Sequence, residues 1–508
     1  MRKFLFAALM LSNLLACNKQ NFENEAGLDL KAGKAVGHLS VNFSLLSTTD
    51  VGGEAAAEIS AFDPITQKLY VVDNSGVSQI VVLNLSDPAA PFPVGTIDVS
   101  GLGGGVNSVA VKNGLLAAAI EAFNKTDNGT IAVFNTLDHS LVASVTVGAL
   151  PDMVTFSPDG KYILSANEGE PNSDYSVDPE GSVSMIEVEN GFAETRLTFE
   201  AFEPQQEMLM KQGLRIFGPD SSFTADLEPE YIAIAQNSKT AWVSLQENNA
   251  LAEIDLISKS VIKILPLGFK DYALSSNAID ANDKDEEYIP QTLPVFGIYE
   301  SDAVAVFSHN NVPFVFTANE GDAREYDTFV EEVRIKDVEL DPATFPNAEE
   351  LQKNDMLGRL NITNTLGNVD GVYTALYSFG ARSFSIWNGH TGKQIFDSGN
   401  ELDFYANING AYDDGRSDNK SVEPEGLVTG RIGNTELLFV GMERADGVAV
   451  YDITNPVKPV YLQWLVTGDA PEGLVFVSAE ESSNGRPLLI VSSEGDGVVT
   501  IFSVSEAI

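Results

Sequence analysis

Residues 165–170 read Ser-Ala-Asn-Glu-Gly-Glu and residues 317–322 read Thr-Ala-Asn-Glu-Gly-Asp. Each follows a short apolar run, residues 162–164 and 314–316, so each reads as a strand ending in an acidic turn. The same event, an apolar run closing on a glutamate, recurs at Glu121, Glu247, Glu443 and Glu494. Six occurrences make it architectural. Around it lies a longer unit: an apolar run, a turn, a second run ending in the acid, a Gly-containing turn, and a third run alternating apolar and polar residues. The third runs are clearest at 129–134, 181–186, 250–254, 447–451 and 497–502, and period two with β-branched and aromatic residues is the mark of a strand.

Units begin near Glu58, Val106, Met153, Tyr231, Ala303, Arg359, Leu427 and Leu474. Several are spaced by roughly 45 residues, the length of one four-stranded propeller blade. The expectation is an all-β fold: a single β-propeller over residues 38–508 with seven or eight four-stranded blades, eight favoured because eight starts are countable. The last unit has three runs, and residues 39–46 are expected to supply its outer strand, closing the ring and removing an open edge. Insertions near 192–227, 268–299 and 397–422 break the period; loops of that length in a compact domain are functional or mobile.

The chain carries 30 basic and 73 acidic residues, a formal charge of −43. A field of that sign repels phosphate backbones and anionic lipid, which argues against nucleic-acid binding and leaves cations as the expected small partners. With 44% hydrophobic residues the chain has ample core material, so the acidity is a skin on a globular protein. The single cysteine, Cys17, follows Leu14, Leu15 and Ala16 after a basic start and an apolar stretch, the form of a secretory leader. The ending resembles the lipobox of bacterial lipoproteins. It implies cleavage after residue 16, acylation of Cys17, a flexible tether over 17–37, and a place in the cell envelope, with Asn18 leaning towards the outer membrane on its periplasmic or surface face. The membrane is then met only through the lipid.

In a blade whose strands alternate direction, the end of the second strand and the start of the first share one face. The second-strand ends carry Glu121, Asn167 and Glu168, Glu247, Asn319 and Glu320 with Asp322, Glu443 and Glu494; the first-strand starts carry Asp152, Glu230, Asp302, Glu425 and Glu472. Both sets fall at one mouth. Two unit charges about 5 Å apart at an effective dielectric near 20 repel by ~3 kcal/mol, so protons or cations must answer them. Hard divalent ions prefer carboxylate, amide and carbonyl oxygen, which makes Ca²⁺ the expected ligand. The competing reading caps strand ends with the same acids and pairs them with Arg324, Arg382 and Arg444. The segment 280–285 resembles a calcium loop but lacks the glycine of an EF-hand turn.

The four histidines are far apart in sequence, and no phosphate-binding or nucleophile-elbow motif appears. A calcium-dependent phosphoesterase would need Arg215, Lys270, Arg324 or Arg382 to converge on phosphate beside the metal. A third reading is a scaffold, monomeric, that presents its loops to a protein or glycan partner.

Two Ala-Asn-Glu-Gly-acid turns, residues 227–231 (Leu-Glu-Pro-Glu-Tyr), 324–327 (Arg-Glu-Tyr-Asp), 378–387, 423–426 (Glu-Pro-Glu-Gly) and 470–473 (Ala-Pro-Glu-Gly) together resemble the choice-of-anchor I family over about residues 38–504. That family includes mesenchyme-specific cell-surface glycoproteins of biomineralising animals. The resemblance implies a secreted or surface-anchored propeller; some relatives carry alkaline-phosphatase labels, and the animal members are linked to calcium mineral. It supplies no catalytic residues. The dense Asp/Gly run that relatives show before the 378–387 motif is thinned here to residues 367–371, Gly-Asn-Val-Asp-Gly.

Overall fold

The computed structural model describes residues 41–310 and 312–505. The chain divides between Ser40 and Val41. The expected leader, Cys17 and the tether lie outside the described residues.

Among the described residues there are seven four-stranded antiparallel sheets. Their first strands are Ala56–Asp63, Val106–Lys112, Pro151–Phe156, Pro229–Ile234, Val304–His309, Pro424–Ile432 and Pro471–Val477. Each first strand lies against the first strand of the next sheet, and the seventh returns to the first. This cyclic order is compatible with a propeller. In the seventh sheet the outermost strand is Asn42–Asp50, paired antiparallel with Val498–Ser505, so the start of the described chain supplies the edge hydrogen bonds for its end.

Apolar clusters sit between neighbouring sheets all the way round. Val72, Val82 and Leu116 join the first sheet to the second; Ile131 and Ile163, the second to the third; Leu164 and Val243, the third to the fourth. Trp242 meets Trp387 between the fourth and fifth, Phe316 meets Leu438 between the fifth and sixth, Phe439 meets Val491 between the sixth and seventh, and Ile490 meets Val71 where the seventh meets the first. A sheet covered on both faces buries every residue of its middle strands, which is why Leu488–Ser493 is buried along its whole length rather than alternately. Each Leu, Ile or Phe buried this way contributes about 1.5–3 kcal/mol.

The expectation of an eighth blade is corrected. No four-stranded sheet starts at Arg359. The second strand of the fifth sheet, Val312–Asn319, pairs with Ser383–Asn388, and residues 320–382 are inserted between them. At the neck of this insertion Gly321 (φ 94°) and Gly380 (φ 69°) cross so closely that a methyl on Gly380 would overlap the carbonyl oxygen of Glu320. The inserted residues Ile335, Leu340, Phe345, Leu357 and Ile362 form a satellite core with Ile279, Leu293 and Val295 of the connection between the fourth and fifth sheets. The expected insertion at 192–227 starts later, because Ala193–Leu197 is the outer strand of the third sheet. Its short helix is Gln206–Met210, led in by the 3-10 turn Glu200–Gln205.

Candidate functional site

Three of the second-strand acids expected at the mouth, with the first-strand acids beside them, are positioned by a repeated piece of backbone. The amide just beyond the second strand donates to the carbonyl of the residue that opens the first: Glu168 to Leu150 at 2.9 Å, Glu443 to Glu423 at 2.9 Å, Glu494 to Ala470 at 3.0 Å. The first-strand acid comes two residues after that carbonyl, so Asp152 stands beside Glu168, Glu425 beside Glu443 and Glu472 beside Glu494. Leu150, Glu300, Glu423 and Ala470 hold left-handed φ values of 46°, 39°, 49° and 53°, a conformation that costs a non-glycine residue roughly 1–2 kcal/mol. Behind each Pro-acid pair the register slips, between Pro151 and Val154, Pro229 and Ile232, Pro424 and Leu427, and Pro471 and Leu474. The bulge bends the strand start and re-aims its side chain.

Four of the first-strand acids meet at a cavity of about 40 Å³ lined by Glu58, Asn107, Asp152, Tyr231, Asp302 and Glu472. That is room for a cation or a few waters. Six of the seven sheets contribute a carboxylate at this position (Glu58, Asp152, Glu230, Asp302, Glu425 and Glu472), and the second sheet contributes Asn107, whose amide donates to the Pro151 carbonyl at 3.2 Å. Among the described residues no lysine or arginine pairs with any of the six. Burial, then the charges of Asp152 and Glu494, push the Glu58 carboxyl up to about 8; burial, then Glu170, push Asp152 up to about 7. Burial and the neighbouring acids also hold Glu230, Asp302, Glu425 and Glu472 well above the ordinary carboxylate range.

The second-strand acids form an outer tier that is partly answered by cations. Lys420 Nζ lies 2.7 Å from Glu320 Oε1 and 3.3 Å from Glu423 Oε2. Arg444 pairs with Glu443 at 2.8 Å and with Glu423 at 3.5 Å, and Arg416 also binds Glu423. Glu320, Glu423 and Glu443 bring carboxylate oxygens within 4.8 Å of one another, but three cations already serve that trio. Asp302, Glu320 and Glu425 meet the same distance, and there only Glu320 touches a cation. Glu425 Oε2 is buried without a hydrogen-bond partner, as is Glu247 Oε2. Asp322 is exposed at the rim.

Several residues expected at the site do other work. Asn167 and Asn319 are fully buried inside their sheets. Asn167 Nδ2 donates to Ser182 and Ser184 (3.2 and 3.0 Å), and Asn319 Nδ2 donates to Ser383 and Ser385 (3.1 and 2.9 Å), so both amides tie the second strand to the third rather than face a ligand. The four cations of the phosphoesterase reading are all buried and internally bound. Arg215 pairs with Glu300 and Glu331, and Arg324 with Asp226 and Glu228. Both guanidinium groups lie over the Phe217 ring, 4.1 and 4.4 Å from its centre. Lys270 binds Asp397 and the carbonyls of Ala381 and Gly399, and Arg382 binds the carbonyls of Asp280, Ser417 and Asn419. In the 280–285 segment Asp283 is held by Arg359 and Lys284, and Asp280 accepts backbone amides of Asn282 and Ile289, which leaves no open calcium loop.

Residues 420 and 423 carried no sequence signal as site residues. Glu423 was visible only as the first letter of a Glu-Pro-Glu-Gly motif, and Lys420 belongs to an insertion whose path only the fold defines. Glu58 was recognisable as a unit start but lacks the preceding proline that marks its counterparts. Asp302 was visible as the fifth-sheet equivalent of the Pro-Glu pairs.

A family model described as the choice-of-anchor I domain matches residues 58–456. Gigasin-3a of Magallana gigas is 28% identical over 189 residues, a match that covers 30% of this chain and 66% of that protein, just under two thirds of its length. Among solved structures, hydrazine synthase of Kuenenia stuttgartiensis aligns with a TM-score of 0.48 at 12% identity, covering 90% of this chain and 98% of that one.

Proposed function

Because this chain belongs to the choice-of-anchor I domain family, we propose that it is a surface-anchored, seven-bladed propeller that binds a divalent cation, calcium first, at its acidic mouth, in a binding or adhesive role. The observation that carries this reading is the trio Asp302, Glu320 and Glu425, whose oxygens lie within 4.8 Å of one another while, among the described residues, no lysine or arginine pairs with Asp302 or Glu425. Crowding keeps these carboxyls from ionising together, and a hard ion bound by their oxygens would let them do so. The closed order of seven sheets, each with its own apolar junction, supports the propeller and the span 41–505 as one domain. Acylation at Cys17 and an outer-membrane location remain the proposed means of anchoring, and among the described residues no helix is long and apolar enough to cross a membrane.

The phosphoesterase reading has no support in the geometry, since Arg215, Lys270, Arg324 and Arg382 are all committed to internal partners. The test is calorimetric titration of calcium into chelator-stripped protein lacking residues 1–17, beside Glu320→Gln/Glu425→Gln. Saturable binding in the parent that is lost in the double variant is the expected result. Equal heats in the two proteins would refute the trio as the site, and no binding in either would leave the scaffold reading.

A further inference from the structure

Lys420 occupies the mouth in a way that bears directly on the cation. It arrives on the connection between the fifth and sixth sheets, just before Ser421, whose backbone is left-handed (φ 64°). Its ammonium contacts Glu320 Oε1 at 2.7 Å and Glu423 Oε2 at 3.3 Å, with the side chain 14% exposed. Glu423 has two other cations, Arg416 and Arg444, and does not depend on Lys420. Among the described residues Glu320 has no other cation. Its second oxygen, Oε2, accepts from Gln246 Nε2 at 2.9 Å, and Gln246 is 3% exposed and held in the core of the mouth. Glu320 is also the residue shared by both carboxylate trios. The oxygen that can be freed for an incoming ion is therefore the one Lys420 covers.

From this arrangement we infer that Lys420 is a tethered counter-ion of the mouth: it holds the place of the divalent cation on Glu320, and the cation binds by displacing it, so that Lys420 sets the affinity of the site. The inference rests on the cation-binding reading above. The physical reason is direct. An ammonium and a divalent ion on one carboxylate repel, and in a site walled by protein that repulsion is weakly screened. A lysine is suited to the exchange because its charge sits on a flexible four-carbon stem, whereas Arg416 and Arg444 hold Glu423 through a planar fork. Asp322, exposed at the rim and within electrostatic reach of Lys420, offers the released ammonium a second partner.

Two measurements on the chelator-stripped protein test this. The first is calcium affinity in the parent and in Lys420→Gln. Loss of a charge-assisted hydrogen bond to the competing group is expected to tighten binding by about tenfold to a hundredfold. The second uses the parent alone and so does not depend on the variant folding: the rate at which Lys420 is acetylated, read by peptide mass spectrometry, with and without calcium. Displacement makes Lys420 more reactive when calcium is bound. If the parent binds calcium but Lys420→Gln binds it equally or more weakly, the counter-ion role is refuted and the cation site stands. Tighter binding with unchanged or slower labelling refutes displacement and leaves only a background field. If neither protein binds calcium, both readings fall together.

Discussion

Replacing Glu58 and Asp152 by Gln and Asn is expected to stabilise the metal-free protein at pH 8, and to do so by much less at pH 5. In the folded protein Glu58 titrates near 8 and Asp152 near 7, against ordinary values of 4.5 and 3.8. Both shifts are upward, so between these limits the folded state holds protons that the unfolded chain has released. Their effect on stability is most favourable below about pH 4, declines as pH rises towards the folded values, and is flat above pH 8. Each group changes stability by up to ~1.4 kcal/mol per pH unit, so two independent groups would lose ~6 kcal/mol between pH 5 and 8. The two feel each other's charge and the cavity admits water, so about half of that, ~3 kcal/mol, is the amount by which the gain of the double amide variant at pH 8 is expected to exceed its gain at pH 5. Groups with depressed values act elsewhere: Asp283, held near 2 by Arg359 and Lys284 against the effect of burial, matters only in acid. His139, lowered by burial and by Lys68, works in the opposite sense as a single group. Urea unfolding in chelator at pH 5, 6, 7 and 8, followed by fluorescence of the buried Trp242, Trp387 and Trp464, reads the effect. A variant less stable than the parent at pH 8, or a gain of the same size at pH 5, would show that the central carboxylates are compensated in a way this reasoning misses.

Arg324→Met removes the only cation among the described residues that touches Asp226 and Glu228 and leaves two buried carboxylates unpaired, so a loss of about 3–5 kcal/mol in urea unfolding is expected; a neutral effect would mean these acids are protonated in the parent. Asn319→Ala removes a fully buried amide that donates to Ser383 and Ser385 and accepts from Thr317 at 2.8 Å, with an expected cost of about 2–3 kcal/mol and calcium affinity unchanged in the folded fraction; selective loss of calcium binding would restore it as a ligand. Gly380→Ala combines a left-handed φ with overlap on the Glu320 carbonyl and is expected to lower stability by about 2–4 kcal/mol and to increase proteolysis within 320–382, read by limited digestion; an unaltered digestion pattern would show that the neck of the insertion tolerates a side chain.

The strands were legible because their periodicity is local. The second- and third-strand runs that stop at Glu168, Glu247, Glu443 and Glu494 or begin at Gly447 and Gly497 lie where the sequence pattern puts them. The positions of the first-strand acids were legible for the same reason: alternation of strand direction is enough to put Asp152, Glu230, Asp302, Glu425 and Glu472 on one face. The eighth unit was misread because residues 359–387 contain short apolar runs at about the right spacing, and nothing local says that 383–388 pairs with 312–319 across a long insertion. Asn167 and Asn319 were misread because a polar residue beside an acid suggests a ligand, while their serine partners come from the next strand and are visible only once the strands are in register.

The amino-acid sequence by itself determines the repeated strands, the acids at their ends and the strongly acidic net charge, because those depend on side-chain type and on a period of two. Only the tertiary structure decides which carboxylates converge, that Arg215, Lys270, Arg324 and Arg382 are spent on internal partners, and that Lys420 stands on Glu320. Those facts depend on where long connections return to the mouth, and charges brought within a few ångströms by folding interact far more strongly than any spacing along the chain can reveal.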